Sequence, residues 1–181
     1  MRRLFAAALA AATIGFGPAL AQQAPPQWYL DDIKALSAAG GRWIADNAQY
    51  KNEQEQFESY ATEWRSEFDG QTMSGRLFGF KDGKETSFDF WSFRQYWHPG
   101  RNEAVVEQFG WGGALGVGPL TENDGGTMSD QTFYNADGSV TRVGHKSRFL
   151  DENTYLTESF DIVDGEWKPR RSYQWKRVIA K

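Results

Sequence analysis

The stretch YATEWRSEFDGQ, residues 60–71, contains the two signals on which the fold prediction depends. Tyr60, Thr62 and Trp64 share one face of an alternating run, and this period of two is typical of a half-buried β-strand. The run ends at Asp69-Gly70, a dipeptide that favours a tight hairpin turn. The stretch therefore predicts a strand that turns back into a second strand.

The same pattern recurs along the chain. Asp-Gly also occurs at 82–83, 137–138 and 164–165, each time between two alternating runs. The runs predict about nine strands with short connections and no helices between them. They cover residues 42–50, 60–68, 72–80, 87–97, 104–111, 128–134, 140–149, 154–163 and 167–178.

Strands that follow one another through short turns predict a mainly β fold, an up-and-down antiparallel meander. Closure into a barrel of about eight to ten strands removes the exposed edges of such a sheet. A two-sheet sandwich is the alternative. The glycine-rich segment 110–126 is either a loop at the mouth of the barrel or a bulged part of a strand.

One short helix precedes the strands. Trp28, Ile33 and Leu36 lie at helical spacing within residues 28–39, and Gly40-Gly41 ends the pattern. The two prolines in QQAPPQ, residues 22–27, predict a flexible leader before it. We therefore expect a single domain at residues 28–181, with the helix at its N-terminal end.

Residues 1–21 have the pattern of a secretory signal peptide. Arg2 and Arg3 precede a short apolar run, and Ala19-Leu20-Ala21 supplies the small residues of a cleavage site after Ala21. The arginine pair also fits part of a twin-arginine signal, so both export routes stay open. The pattern predicts a periplasmic or secreted protein.

Charge and composition limit the partners. Without Arg2 and Arg3 the formal net charge of −4 becomes −6, which argues against nucleic acid as a partner. No later apolar run is long enough for membrane insertion. The chain has no cysteine and only two histidines, so neither a metal site nor any cofactor is predicted. The oligomeric state is left open.

Several motifs, in this order, resemble the lipocalin-like domains of unknown function found in secreted bacterial proteins. The resemblance covers roughly Leu36 to Val178. It implies a calycin-type β-barrel with an interior pocket, and it implies no particular reaction. The motifs are Gly41-Arg42-Trp43, WRSEFDGQTMSGRLFGF (64–80), RQYWHPGRNEAVVEQFGWGG (94–113), TFYNADGSVTR (132–142) and DGEWKPRRSYQWKR (164–177).

The haem-binding nitrobindin barrels are similar in outline. They begin with Gly-x-Trp-x-Gly-x-Gly, whereas Gly41-Arg42-Trp43 is followed here by Ile-Ala-Asp-Asn, without the later glycines. This departure counts against haem. A haem-binding barrel with His145 as the axial ligand is kept as an alternative.

Aromatic residues are the compositional outlier, with eight Trp and thirteen Phe. Core packing would explain them, but large flat rings border a cavity better than they fill a small core. We therefore predict that the aromatic faces of the strands line an interior pocket. The predicted ligand-binding residues are Phe93, Trp97, Phe109, Trp111, Phe149, Arg171 and Tyr173.

Three titratable residues interrupt apolar strand faces and are the candidate catalytic residues, namely His145, Glu107 and Glu158. A carboxylate that faces an apolar interior needs a cation, and Arg171 would lie near Glu158 across the last hairpin. The alternatives are a buried, purely structural His145 and a strand twist or bulge that turns the carboxylates outward.

Two classes of function follow. The first hypothesis is a barrel that binds a small hydrophobic or aromatic molecule in its interior. The second is a cofactor-free isomerase, cyclase or lyase that acts on a hydrophobic or aromatic metabolite in the same pocket. Nothing in the spacing of the candidate residues selects between them.

Overall fold

The computed structural model describes residues 24–179, which form one helix and a single antiparallel sheet. The signal peptide expected at residues 1–21 and the first two residues of the leader lie outside the described residues. No helix in the described range is long and apolar enough to cross a membrane.

Helix α1 spans Gln27–Ser37, and short 3₁₀ turns follow at Ala38–Gly40 and Ala48–Tyr50. The strands are β1 Arg42–Asp46, β2 Ser59–Glu67, β3 Thr72–Lys81, β4 Lys84–Glu85, β5 Trp91–His98, β6 Glu103–Gly110, β7 Leu115–Asn123, β8 Gly126–Tyr134, β9 Val140–Asp151, β10 Thr154–Val163 and β11 Glu166–Arg177.

Ten of the strands close into a barrel. Each of these strands pairs with the next around the barrel, and β1 pairs with β11. Strand β3 pairs directly with β5, and the two-residue β4 pairs only with the last residues of β3. The sandwich alternative is therefore wrong. The predicted up-and-down antiparallel barrel with one N-terminal helix is confirmed.

The main difference from the prediction is strand β7, which occupies the glycine-rich segment. Its inward positions include Gly116 and Gly118, so apolar alternation was absent there and the strand was not counted. Gly116 lies opposite Phe133, and a Cβ at this position would be 2.4 Å from Cζ of that ring. The glycine therefore makes room for an aromatic side chain inside the barrel.

Helix α1 closes one end of the barrel. Its buried side chains are Tyr29, Ile33 and Leu36. The hydroxyl of Tyr29 donates to the carbonyl of Gln71, at 2.9 Å, and Nε1 of Trp43 donates to the carbonyl of Leu36, also at 2.9 Å. These bonds attach both ends of the helix to the barrel. We call the end of the barrel that the helix covers the closed end.

The opposite end is the mouth. The segment 47–58 between β1 and β2 lies beside it, as do the turns after β6, β8 and β10. Because the helix covers only the closed end, the interior communicates with the outside through the mouth.

Candidate functional site

The barrel contains a cavity of about 280 Å³, which continues into a wider space of about 500 Å³ at the mouth. The two spaces share several lining residues, among them Leu77, Gln108, His145 and Ser159. The two spaces are therefore neighbours along the interior of the barrel.

One side of the cavity is an apolar wall, formed by side chains of β2, β3, β5 and β6. The rings of Trp64 and Phe93 lie with their centroids 5.1 Å apart. The absence of a side chain at Gly75 and Gly110 leaves room for the rings of Trp64 and Trp91. The apolar wall consists of Trp64, Leu77, Trp91, Phe93 and Val106.

The other side is a polar wall, formed by side chains of β8, β9 and β10. It consists of Thr127, Ser129, Gln131, His145, Ser147, Thr157 and Ser159. Gln131 donates from Nε2 to Oγ of Ser129, at 2.9 Å, while its Oε1 is buried without a hydrogen-bond partner. A buried acceptor without a partner is costly unless a ligand or water supplies a donor.

His145 is the predicted catalytic residue that the structure places in the cavity. Its Nδ1 lies 3.1 Å from Nε2 of Gln131 and accepts a hydrogen bond from that amide, which places the proton of the neutral ring on Nε2. Burial, assisted by the charge of Arg170, lowers the pKa of His145 to about 4. His145 is therefore neutral at pH 7 and presents a donor to the cavity.

The two predicted catalytic carboxylates lie outside. Glu107 is on the outer face of β6, where it accepts a hydrogen bond of 3.0 Å from the hydroxyl of Tyr96. Glu158 is on the outer face of β10, opposite Lys146 of β9 and beside an outer groove, and part of the residue also borders the cavity. The structure therefore does not bring His145, Glu107 and Glu158 together.

The expected pair of Glu158 with Arg171 is also corrected. Arg171 pairs with Glu55 through two bonds, of 2.7 Å from Nη1 and 2.6 Å from Nη2. Glu158 faces outward because the apolar face of β10 is an outer face, where Phe160 packs on Trp167. An apolar outer face was thus mistaken for the interior.

Glu55 and Arg171 belong to a polar group at the mouth, which we call the mouth cluster. Its members are Asn47, Glu55, Tyr60, Arg171 and Tyr173. Tyr60 donates to Glu55, at 2.7 Å, and Tyr173 donates to Asn47, at 2.8 Å. Hydrogen bonds from Arg171 lower the pKa of the Glu55 carboxyl. The cluster fastens segment 47–58 to β2 and β11.

The structure places the predicted ligand-binding residues in four different locations. Phe93 lines the cavity, and Arg171 and Tyr173 line the mouth. Trp97 and Phe149 pack in the core of the closed end, with ring centroids 6.3 Å from Tyr29 and 6.0 Å from Trp43, respectively.

The expected interior position of Phe109 and Trp111 is corrected by their exposure. Phe109 is 43 % exposed on the outer face of β6. Trp111 follows the last residue of β6 and is 75 % exposed; its ring is stacked on Phe88, with centroids 5.3 Å apart. The inward residues of this strand are Val106 and Gln108, which line the cavity.

Sequence reasoning missed the acidic residue of the cavity, Asp32 of α1. Its Oδ2 accepts a hydrogen bond of 3.1 Å from Nε2 of Gln95. Burial raises the pKa of Asp32 to about 6, against the opposing effect of that bond. Helix α1 begins at Gln27, so Asp32 lies in its second turn and borders the cavity at the closed end.

We expect Glu55→Gln to lower the free energy of unfolding by about 1 kcal/mol, because it weakens charge-assisted bonds that are partly screened by solvent. Urea unfolding at pH 7 measures this loss. Glu53→Gln, an exposed site in the same segment, is the matched control. Equal stability of the two variants would contradict a fastening role for the mouth cluster.

The fold and the site together define a closed ten-stranded β-barrel whose interior cavity is reached from one end. In residues 24–179 no cluster of three or more His, Asp or Glu side chains is arranged to hold a metal ion. No protein-family model matches the chain, and no curated protein is similar to it in sequence.

Proposed function

We propose that the protein is a lipocalin-like binding barrel that holds a small hydrophobic or aromatic molecule in its interior. The observation that carries the proposal is the pairing of an apolar wall with a polar wall around one cavity. A flat ring fits against Trp64 and Phe93, and polar substituents at its edge reach the opposite side.

The polar wall supports this proposal because two of its groups lack protein partners. Oε1 of Gln131 is an unpaired acceptor, and Nε2 of His145 makes no hydrogen bond to the described residues. A ligand with one hydroxyl or amide can satisfy both. Satisfying buried polar groups is the usual source of orientation and specificity in an apolar pocket.

Naphthalene derivatives provide a direct test. We expect 1-naphthylmethanol to quench the tryptophan fluorescence of the protein saturably, and Val106→Trp to weaken its binding by at least about tenfold, because the new ring fills the cavity. Val140→Trp, at an exposed position on the rim, is the matched control. Unchanged affinity in Val106→Trp would place the ligand elsewhere.

The enzyme and haem alternatives receive less support. An acid–base reaction would need a carboxylate beside His145, and Glu107 and Glu158 lie on outer faces. Of the other carboxylates that line the two interior spaces, Asp161 is ion-paired with Arg170, and Asp32 lies at the closed end on Gln95. Iron at Nε2 of His145 would move the ring proton to Nδ1, which faces the amide donor of Gln131. A binding role requires only the neutral His145 with its proton on Nε2, which is the state that the hydrogen bond from Gln131 favours.

Export is part of the proposal and rests on residues 1–21 alone. The barrel would then meet its ligand in the periplasm or outside the cell. The mass of the protein recovered from the periplasmic fraction tests this, since cleavage after Ala21 leaves Gln22 at the N-terminus.

A further inference from the structure

The closed end of the cavity holds a carboxylate that has no cationic partner. Asp32 accepts one hydrogen bond, from Gln95, and takes part in no ion pair within residues 24–179. The charged groups of the mouth differ in this respect, because Arg171 is paired with Glu55 and Arg170 with Asp161. Asp32 is therefore the uncompensated charge of the interior.

Aromatic rings surround the same end. Tyr155 and Trp175 are stacked with centroids 5.9 Å apart, and the rings of Trp64 and Phe93 lie 5.1 Å apart. All four side chains line the cavity that Asp32 lines. Aromatic faces together with a carboxylate make the kind of pocket that attracts an ammonium group.

The protein's own titratable groups do not neutralise this charge. Burial, assisted by the charge of Asp32, raises the pKa of the phenols of Tyr29 and Tyr155. They stay protonated and neutral at pH 7. His145, which lines the same cavity, is neutral above about pH 4. A buried carboxylate of this kind is costly unless a ligand supplies the positive charge.

We propose that the ligand carries a protonated amine, or a comparable cationic nitrogen, which lies against Asp32 at the closed end while its ring lies on the apolar wall. This inference rests on the proposed function, since it requires interior binding. It names the chemical class of the ligand as an aromatic or hydrophobic amine. An acidic compound of the same shape is excluded by repulsion from Asp32.

Three probes that share one ring system test the inference: 1-naphthylmethylamine, 1-naphthylmethanol and 1-naphthoic acid. At pH 8 we expect the amine to bind about tenfold more tightly than the alcohol, because it adds a charge-assisted hydrogen bond. Asp32→Asn should remove this preference, so that the amine and the alcohol bind to the variant with similar affinity. Asp31→Asn, at the exposed neighbouring position, should behave as the wild type.

The outcomes separate the two proposals. If the alcohol binds and the amine binds no better, or if Asp32→Asn keeps the preference, the amine inference is overturned while interior binding stands. If none of the three probes binds to the wild type, the proposed function itself is contradicted. The comparison of the three probes on the wild type needs no variant, so it tests the preference for the amine independently of Asp32→Asn.

Discussion

Replacing Trp43 with alanine is expected to lower the free energy of unfolding by about 4 kcal/mol, the upper range for loss of a large core side chain. Trp43 is fully buried, and its ring lies edge-on to Tyr155 with centroids 4.7 Å apart. The guanidinium of Arg177 lies 4.0 Å from the centre of the ring. Nε1 also holds the carbonyl of Leu36, so the substitution releases the end of α1.

Urea unfolding followed by circular dichroism measures this loss. Trp111→Ala removes the same side chain from a position that is 75 % exposed, and we expect it to change the stability by less than about 1 kcal/mol. Trp43→Phe should lie between the two, since it keeps the aromatic contacts and loses the bond to Leu36. A loss from Trp43→Ala no larger than that from Trp111→Ala would mean that the helix is held by other contacts.

The sequence predicted the architecture because its signals are local. The Asp-Gly turns at 69–70 and 164–165 connect strands as expected, and period-two alternation located most strands within a few residues. The turn at 82–83 leads instead into the two-residue β4, and the strand expected at 87–97 begins at Trp91. Strand β7 was not predicted because glycines occupy its inward positions 116 and 118, where apolar side chains would have produced the alternating pattern.

The direction of the strand faces was predicted only in part, because apolar character did not distinguish inside from outside. The faces that contain Phe93, His145 and Arg171 were assigned correctly to the interior. The faces of β6 and β10 were reversed. Their interior positions carry polar residues such as Gln108 and Ser159, which line the cavity.

The residues that decide the site chemistry could not be found from local patterns. Glu55 and Arg171 are 116 positions apart and meet only because segment 47–58 lies beside β11 at the mouth. Asp32 and Gln95 are 63 positions apart and meet because α1 covers the closed end. Such pairs depend on how the barrel closes, which the alternation of a single strand does not encode.

Two buried groups of this cavity are expected to give the protein opposite responses to acid. The pKa of Asp32 is raised from 3.8 to about 6, so between these values the folded state holds a proton that the unfolded chain does not. Its contribution to stability therefore falls as the pH rises through this window. The pKa of His145 is lowered from 6.5 to about 4, so the unfolded chain holds the extra proton, and its contribution falls as the pH drops.

The two effects overlap between about pH 4 and pH 6 and are similar in size. Each shift is worth on the order of 3 kcal/mol, from about 1.4 kcal/mol per pKa unit. In the wild type they nearly cancel, because each state holds one of the two protons in this range. The pH dependence of the free energy of unfolding of the wild type alone would therefore reveal neither titration.

Single substitutions should separate the two effects. We expect Asp32→Asn to be more stable than the wild type by about 3 kcal/mol at pH 7.5, and this advantage to disappear by pH 4. The free energy of unfolding of His145→Gln, relative to that of the wild type, should rise by about 3 kcal/mol between pH 7 and pH 4, because the variant lacks the penalty of the buried neutral imidazole.

Urea unfolding at half-unit steps from pH 4 to pH 8 measures the differences between the variants. Exposed or ion-paired carboxylates such as Glu55 titrate alike in all three proteins, so their contributions cancel in these differences. Asp31→Asn serves as the control for loss of an exposed charge on the same helix. Parallel profiles for Asp32→Asn and the wild type would mean that Asp32 is solvated like an ordinary surface carboxylate. It would then have no need of a cationic ligand, which links this measurement to the class of molecule that the cavity binds.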